Sequence, residues 1–296
     1  MRRTAAVATA VVAALGLIAA ALVDGAGSQP AVEIHKVDEG HFLPVPDKPV
    51  FFLVLGLDGD RPGIVGDRSD AMHLIGVNPQ ARAGTILNIP RDAFVEIPGR
   101  GQRKINEAYF LGGAGLAADT VERLTGADVA FVLATRFGPF EAMVNELGGV
   151  DVDVPIAMKD RFSGADFPKG RVHMDGRAAL AFSRNRYLPG GDLRRSEHQG
   201  LLILSALTKL RAENAGPAGA VRYLAVLGRH VGITGVSPTE LYHLGRLGLS
   251  VDPANMRSVV MPSRVGSVGP QSVVFVGGGA PALFADLRDD AVLQSH

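Results

Sequence analysis

Residues Val50–Asp70 read VFFLVLGLDGDRPGIVGDRSD. The run from Val50 to Gly56 is apolar throughout. No polar residue alternates within it, so neither side is reserved for water, and it suits a central strand covered on both faces. Asp58 follows the run almost at once. A loop holding Gly59, Gly63 and Gly66 comes next, and Asp70 opens a second apolar stretch, Ala71–Val77. Ligands of open α/β sheets collect at strand ends, so these carboxylates are candidate binding groups. A plain polar turn is the alternative, because Asp and Gly are ordinary turn residues.

Working outward, Thr85–Ile89 reads as a third strand. Leu116, Ala117, Thr120, Val121 and Leu124 recur at helical spacing over about 115–125, and Gly126 is placed to stop that helix. Phe137–Leu147 reads as a helix closed by Gly148-Gly149, and Val150–Val154 alternates as a strand does. Asp175 can cap a helix running through Ala181. A further helix continues from about Arg195 through Leu201–Leu210, and Tyr242–Leu249 is a short one. Ser258–Met261 and Ser272–Val276 are short strands. Interleaved helices and strands indicate the α/β class, an α-β-α sandwich.

The chain has 296 residues, 47% hydrophobic and 20% charged, with 30 basic and 30 acidic side chains. This is globular composition. Zero formal charge argues against a polycation that coats nucleic acid. Cysteine is absent, which removes thiolate chemistry, disulfides and Cys-type zinc sites. The eight histidines show no convincing ligand spacing. Only six of the basic residues are lysines.

Residues 1–4 are Met-Arg-Arg-Thr, and an apolar run follows from Ala5 to Val23. Its length approaches the roughly 20 residues of a bilayer-spanning helix, and the two arginines place its start in the cytoplasm. The expected layout is therefore a cytoplasmic 1–4, one transmembrane anchor at 5–23, a linker at 24–47 and one extracytoplasmic domain at 48–291. A cleaved signal is the alternative for the apolar run.

Arginines recur beside the carboxylates: Arg68 before Asp70, Arg91 after the third strand, Arg184 and Arg186, and Arg194 and Arg195 after Asp192. Guanidinium forks bind phosphate oxygens in pairs and stay charged. Two carboxylates with a phosphate-bearing ligand are a usual Mg²⁺ site. For any single arginine a solvated surface role is the simpler reading. The set is what suggests a pyrophosphate site.

The segments GLDGDRPG (56–63), GDRSDAMHL (66–74), NIPRDAFVEIPG (88–99), KINEAYFLGG (104–113), NELGGVDVDVP (145–155), HMDGRAALAFSRNR (173–186) and GGDLRRSEHQ (190–199) together resemble the LytR-CpsA-Psr family of bacterial cell-wall ligases. The resemblance runs over roughly 48–290 and implies a central mixed sheet. It implies Asp58 and Asp70 as Mg²⁺ ligands. It implies Arg68, Arg91, Arg184, Arg186, Arg195 and Gln199 as the grip on the pyrophosphate of a polyprenyl-linked glycopolymer. Arg68, Arg91 and Asp192 are the candidate catalytic residues; Asp192, Asp92 or a metal-bound group are the alternatives for the base that takes the acceptor hydroxyl proton. Lys104 and Asn106 read as scaffold first. His198 departs from the family, which often has Arg there; a His can still donate to phosphate but is largely neutral at pH 7, so headgroup affinity or substrate choice is expected to differ. The implied reaction moves the glycopolymer to peptidoglycan at the membrane, forming a phosphodiester. Helix faces at Leu116–Leu124 and Leu201–Leu210 read as core packing from their spacing alone, and only the resemblance makes them candidate linings for the lipid tail. Rival readings keep the same charges but use water as acceptor, or make the chain a non-catalytic regulator or lipid-binding scaffold. No recognition helix or basic face supports nucleic-acid binding.

Overall fold

A computed structural model describes residues 30–37, 48–58, 67–213, 226 and 229–294. In chain order the strands are β1 (Val32–Lys36), β2 (Val50–Leu57), β3 (Ser69–Asn78), β4 (Ala83–Asn88), β5 (Phe94–Ile97), β6 (Gly101–Lys104), β7 (Val129–Arg136), β8 (Val150–Val154), β9 (Met158–Asp160), β10 (Ala165–Phe167), β11 (Gly170–Met174), β12 (Val231–Thr234), β13 (Met256–Val260), β14 (Ser263–Val268) and β15 (Gln271–Val276). The helices are α1 (Glu107–Thr125), α2 (Phe137–Glu146), α3 (Gly176–Arg184), α4 (Gly191–Glu213), α5 (Pro238–Ser250) and α6 (Ala280–Asp290).

Seven strands form one sheet in the order β12-β1-β7-β2-β3-β4-β13. β2 runs parallel to β7 and antiparallel to β3, so the sheet is mixed. The apolar run Val50–Gly56 lies at its centre, in β2, and period two divides its side chains between two layers. Phe51, Leu53, Leu55 and Leu57 enter a core with Ala117, Ala118 and Val121 of α1 and Phe284 and Leu287 of α6. Phe52 faces the other way, toward Ile203 and Leu204 of α4 and Leu247 of α5. A satellite core joins Val144 of α2, Val150 and Val152 of β8, and Ala179 and Phe182 of α3 to Leu202 of α4.

Several sequence expectations change. Residues 32–36, expected inside a linker, form β1, which pairs antiparallel with β7 and parallel with β12. The helix expected from about 115 begins at Glu107. Gly112 (φ −162°) and Gly113 (φ +66°) kink it, and Gly126 ends it in the left-handed region. Its Leu116–Leu124 face packs into the first core rather than lining a lipid site. Asp175 does cap α3, its carboxylate accepting from the Ala178 N–H. Among the described residues no helix is long and apolar enough to cross a membrane, and the expected anchor at 5–23 lies outside them. So does the glycine loop at 59–66.

Candidate active site

The second face of β2 is only partly covered by α4. Val54 and Gly56 of β2, Ala71 and His73 of β3 and Thr135 of β7 floor a cavity of about 580 Å³. Gly56 and Ala71 are register partners, and a Cβ at Gly56 would come 3.0 Å from that of Ala71. Small residues here keep the floor open. Phe137, Phe140, Leu180, Leu202 and Ile203 form apolar walls. Asp70, Arg91, Arg136, Arg184, Arg186, Arg195 and Gln199 also line the cavity, making it part hydrocarbon and part cationic.

Each charged group is set by an element end. Asp70 opens β3. Arg91 follows β4 through Pro90, and its backbone is tied down by Asn106, whose N–H donates to the Arg91 carbonyl at 3.2 Å. Asn106 also accepts from the Ser69 N–H at 3.3 Å, and Lys104 pairs with Asp92 at 2.9 Å. The KIN segment thus ties down the backbone at Arg91 and Ser69 and the side chain of Asp92. Arg186 stands in the turn after α3. On α4, Asp192, Arg195, Gln199 and Leu202 recur at spacings of three and four and form one stripe.

Arg91 donates to the Asp70 carboxylate. Arg186 lies 3.8 Å from Asp70 and 3.7 Å from Asp192. Arg195 reaches Asp192 at 2.9 Å, and Arg91 lies 3.8 Å from the same carboxylate. Burial alone would raise the Asp70 pKa, but Arg91, Arg195 and Arg186 outweigh it and hold the carboxyl below its ordinary value. Arg195 is 2% exposed. Burial pulls its pKa down to about 10, with Arg186 and Arg91 adding to the fall and Asp192 opposing it. Burial also works against the Arg91 charge, but Asp70, Asp192 and Asp92 outweigh it and raise the Arg91 pKa, so Arg195 is the arginine of the cluster whose charge burial disfavours on balance. The buried Nε atoms of Arg91 and Arg195 and the Oε1 of Gln199 have no hydrogen-bond partner, although the Gln199 amide donates to the Ser183 carbonyl at 3.1 Å. Buried polar atoms left unpaired are costly, and these three stand on residues that line the cavity.

The structure thus gathers Asp70, Arg91, Arg184, Arg186, Arg195 and Gln199 around one cavity, with Asp192 ion-paired to its arginines. Asp58 is buried nearby at the end of β2 and holds the base of the loop, accepting from the Arg68 N–H at 2.9 Å. Two expectations fail. The Arg68 side chain is exposed and does not line the cavity. His198 is fully buried against the Phe182 ring at 4.9 Å between centroids, away from the cavity lining, and cannot serve as a phosphate donor there. Sequence reasoning missed Arg136, which lines the cavity and binds Glu33 of β1 at 2.6 Å and Asp67 at 2.7 Å. It ends a strand that had not been read, so its strand-end position went unseen.

A mixed α/β sheet whose strand ends present an arginine cluster beside an apolar cavity defines the class of protein by fold and site. The LytR_cpsA_psr family model matches residues 23–273, and the chain belongs to that family. It is 36% identical over 171 residues to the polyisoprenyl-teichoic acid–peptidoglycan teichoic acid transferase TagU of Enterococcus faecalis, covering 57% of this chain and 56% of that protein. The chain spans just over half the length of that relative. TagV of Bacillus subtilis shares the fold at a TM-score of 0.70 and 24% identity, covering 85% of this chain and 100% of that one. The LytR-CPS2A-psr family protein YwtF (TagT) with bound octaprenyl pyrophosphate lipid superposes at a TM-score of 0.64 and 22% identity, covering 87% and 96%.

Proposed function

We propose that this chain transfers a glycopolymer from a polyprenyl-pyrophosphate carrier to peptidoglycan, as a Mg²⁺-dependent phosphotransferase. The observation that carries this reading is the cavity itself, with crowded arginines beside apolar walls. A polyprenyl diphosphate has the same division of charge and hydrocarbon. The TagU relative bears a transferase name of this kind.

In the reaction an acceptor sugar hydroxyl attacks the phosphorus next to the polymer. The new P–O bond forms as the bond to the bridging oxygen breaks, polyprenyl phosphate leaves, and the hydroxyl proton passes to a base. Charge grows on the bridging and non-bridging oxygens. Arg91, Arg186 and Arg195 face that charge from fixed positions, and one such donor is commonly worth about 2.7–4 kcal/mol of barrier. Asp192 holds three of the arginines in place. The apolar walls at Phe137, Phe140, Leu202 and Ile203 suit the prenyl tail.

Asp58 and Asp70 offer hard oxygen donors at adjacent strand ends, the donor chemistry Mg²⁺ takes. Among the described residues no group of three or more acidic or imidazole side chains is arranged for a metal, so phosphate oxygens would complete the shell. When bound, Mg²⁺ would neutralise phosphate charge. The domain would act outside the cytoplasmic membrane, tethered by residues 5–23, and reporter fusions to the C-terminus would register an external position.

The test is incubation of the full chain with a polyprenyl-pyrophosphate-linked saccharide and Mg²⁺, with and without peptidoglycan. Saccharide covalently attached to peptidoglycan is the expected result. Equal release of saccharide with and without acceptor would instead make the chain a hydrolase.

A further inference from the structure

Among the described residues, Phe162 and Tyr187 are the most exposed of the large apolar and aromatic side chains, at 80% and 63%. They come from separate segments, yet their rings stack with centroids 5.0 Å apart and planes within 9°. Both line the cavity. Aromatic side chains make up only 6% of the chain, and two left in water at the lip of the site need a reason. Core packing does not supply one.

Their backbones are fixed from below. Asp160, 5% exposed, accepts from the N–H groups of Phe162 at 2.9 Å and Ser163 at 3.1 Å, and from the Ser163 hydroxyl at 2.5 Å. Asn185, 1% exposed, accepts from the Tyr187 N–H at 2.9 Å. The rings are therefore presented on two anchored turns, a pre-organised platform that loses little freedom on binding.

The surroundings select the occupant. A pyranose ring has an apolar C–H face and a polar edge of hydroxyls. The stack offers a flat aromatic face, with Ser163, Arg184 and Arg186 beside it in the same cavity. A prenyl tail has no polar edge to use these groups. Tyr187 directly follows Arg186, whose guanidinium lies 3.8 Å from Asp70. The first sugar of the donor is bonded directly to the diphosphate, so it must lie within one bond of whatever the arginines hold.

We propose that the Phe162–Tyr187 stack is the subsite for the sugar ring adjoining the diphosphate of the lipid-linked donor. This rests on the donor class proposed above. It adds a specificity-determining contact that the charged residues do not supply.

The test measures binding of two probes to the full chain in detergent: octaprenyl diphosphate, and octaprenyl diphosphate carrying one N-acetylhexosamine. The wild type should bind the sugar-bearing probe about fivefold more tightly, the worth of one aromatic contact of about 1 kcal/mol. Phe162→Ala should erase that preference and leave the affinity for the bare lipid unchanged, and Phe162→Tyr should restore it. Phe162 is exposed enough that its truncation leaves the core intact, and circular dichroism checks this for Tyr187→Ala as well. Equal weakening of both probes would overturn the proposal, because the stack would then touch lipid, diphosphate or bilayer. Survival of the preference in both alanine variants would overturn it too. Equal wild-type affinity for the two probes would defeat the subsite alone. Binding of neither would defeat the donor assignment and the subsite together.

Discussion

His198 lies one residue before Gln199 on α4 but belongs to the core. Neither ring nitrogen has a hydrogen-bond partner. Burial pulls its pKa down to about 4, with Arg194 adding to the fall and Glu197 opposing it. In the unfolded chain the same imidazole titrates near 6.5. As pH falls below 6.5 the unfolded state takes up this proton first, so stability present above that pH drains away toward pH 4, by about 3 kcal/mol in all. His198→Leu keeps the apolar packing and removes the titration. Thermal melts at pH 7 and pH 4.5 should therefore show a smaller loss of Tm in the variant than in the wild type. Parallel losses would mean that the imidazole is not buried neutral. The charged residues behave differently, because Arg195 is as buried as His198 yet is compensated by Asp192. One Arg195 nitrogen, Nη2, reaches both Asp192 oxygens, at 2.9 and 3.1 Å; Arg195→Lys keeps the charge but loses the remaining guanidinium N–H donors that a phosphate would use. We expect it to lower kcat/KM for transfer about tenfold or more, measured at saturating acceptor, with little change in Tm.

At the scale of elements, α4 positions the site because it lies close to the sheet, and Gly200 permits that approach. A Cβ there would stand 2.3 Å from the Ser258 hydroxyl and 2.6 Å from the Asn88 side-chain oxygen. Alanine in a helix gains about 1 kcal/mol over glycine, while overpacking a tight contact costs about 1–3 kcal/mol. The collision is with two polar groups in a network, since Asn88 also binds Ser258 at 2.9 Å and His73 at 2.7 Å. Gly200→Ala should therefore lower Tm and reduce transfer together, because Arg195 and Gln199 move with the helix. A rise in Tm would show that the contact yields freely. Elements whose signals are local were legible in sequence: the apolar run of β2, the Asp175 cap of α3, the Gly126 stop of α1. The first half of α1 was hidden because Gly112 and Gly113 interrupt its pattern. β1 was hidden because five residues, VEIHK, carry no periodicity of their own and take their conformation from partners in β7 and β12 far along the chain. The cationic residues were legible as a set. Which of them share a cavity depends on α4 crossing the sheet, and no local spacing reveals that.

For the molecule as a whole, β1 joins residues 32–36 to the central sheet. It lies between β12 and β7, and Arg136 ties its Glu33 to the cavity wall. A chain starting at Pro30 should unfold cooperatively near the Tm of the full chain. A chain starting at Lys48 exposes the edge of β7 and strands β12, and should melt several degrees lower or aggregate. Equal Tm values would remove β1 from the folding unit. In the proposed reaction the arginine–aspartate cluster at these strand ends stabilises the charge of a transferring phosphoryl group. The most direct measurement is the kcat/KM of glycopolymer transfer to peptidoglycan, with Mg²⁺ supplied, by the wild type, Arg91→Ala and Asp70→Ala, with folding checked by circular dichroism. Losing one such contact predicts a fall of roughly a hundredfold or more in either variant. Activity above about half of wild type in a folded variant would contradict it.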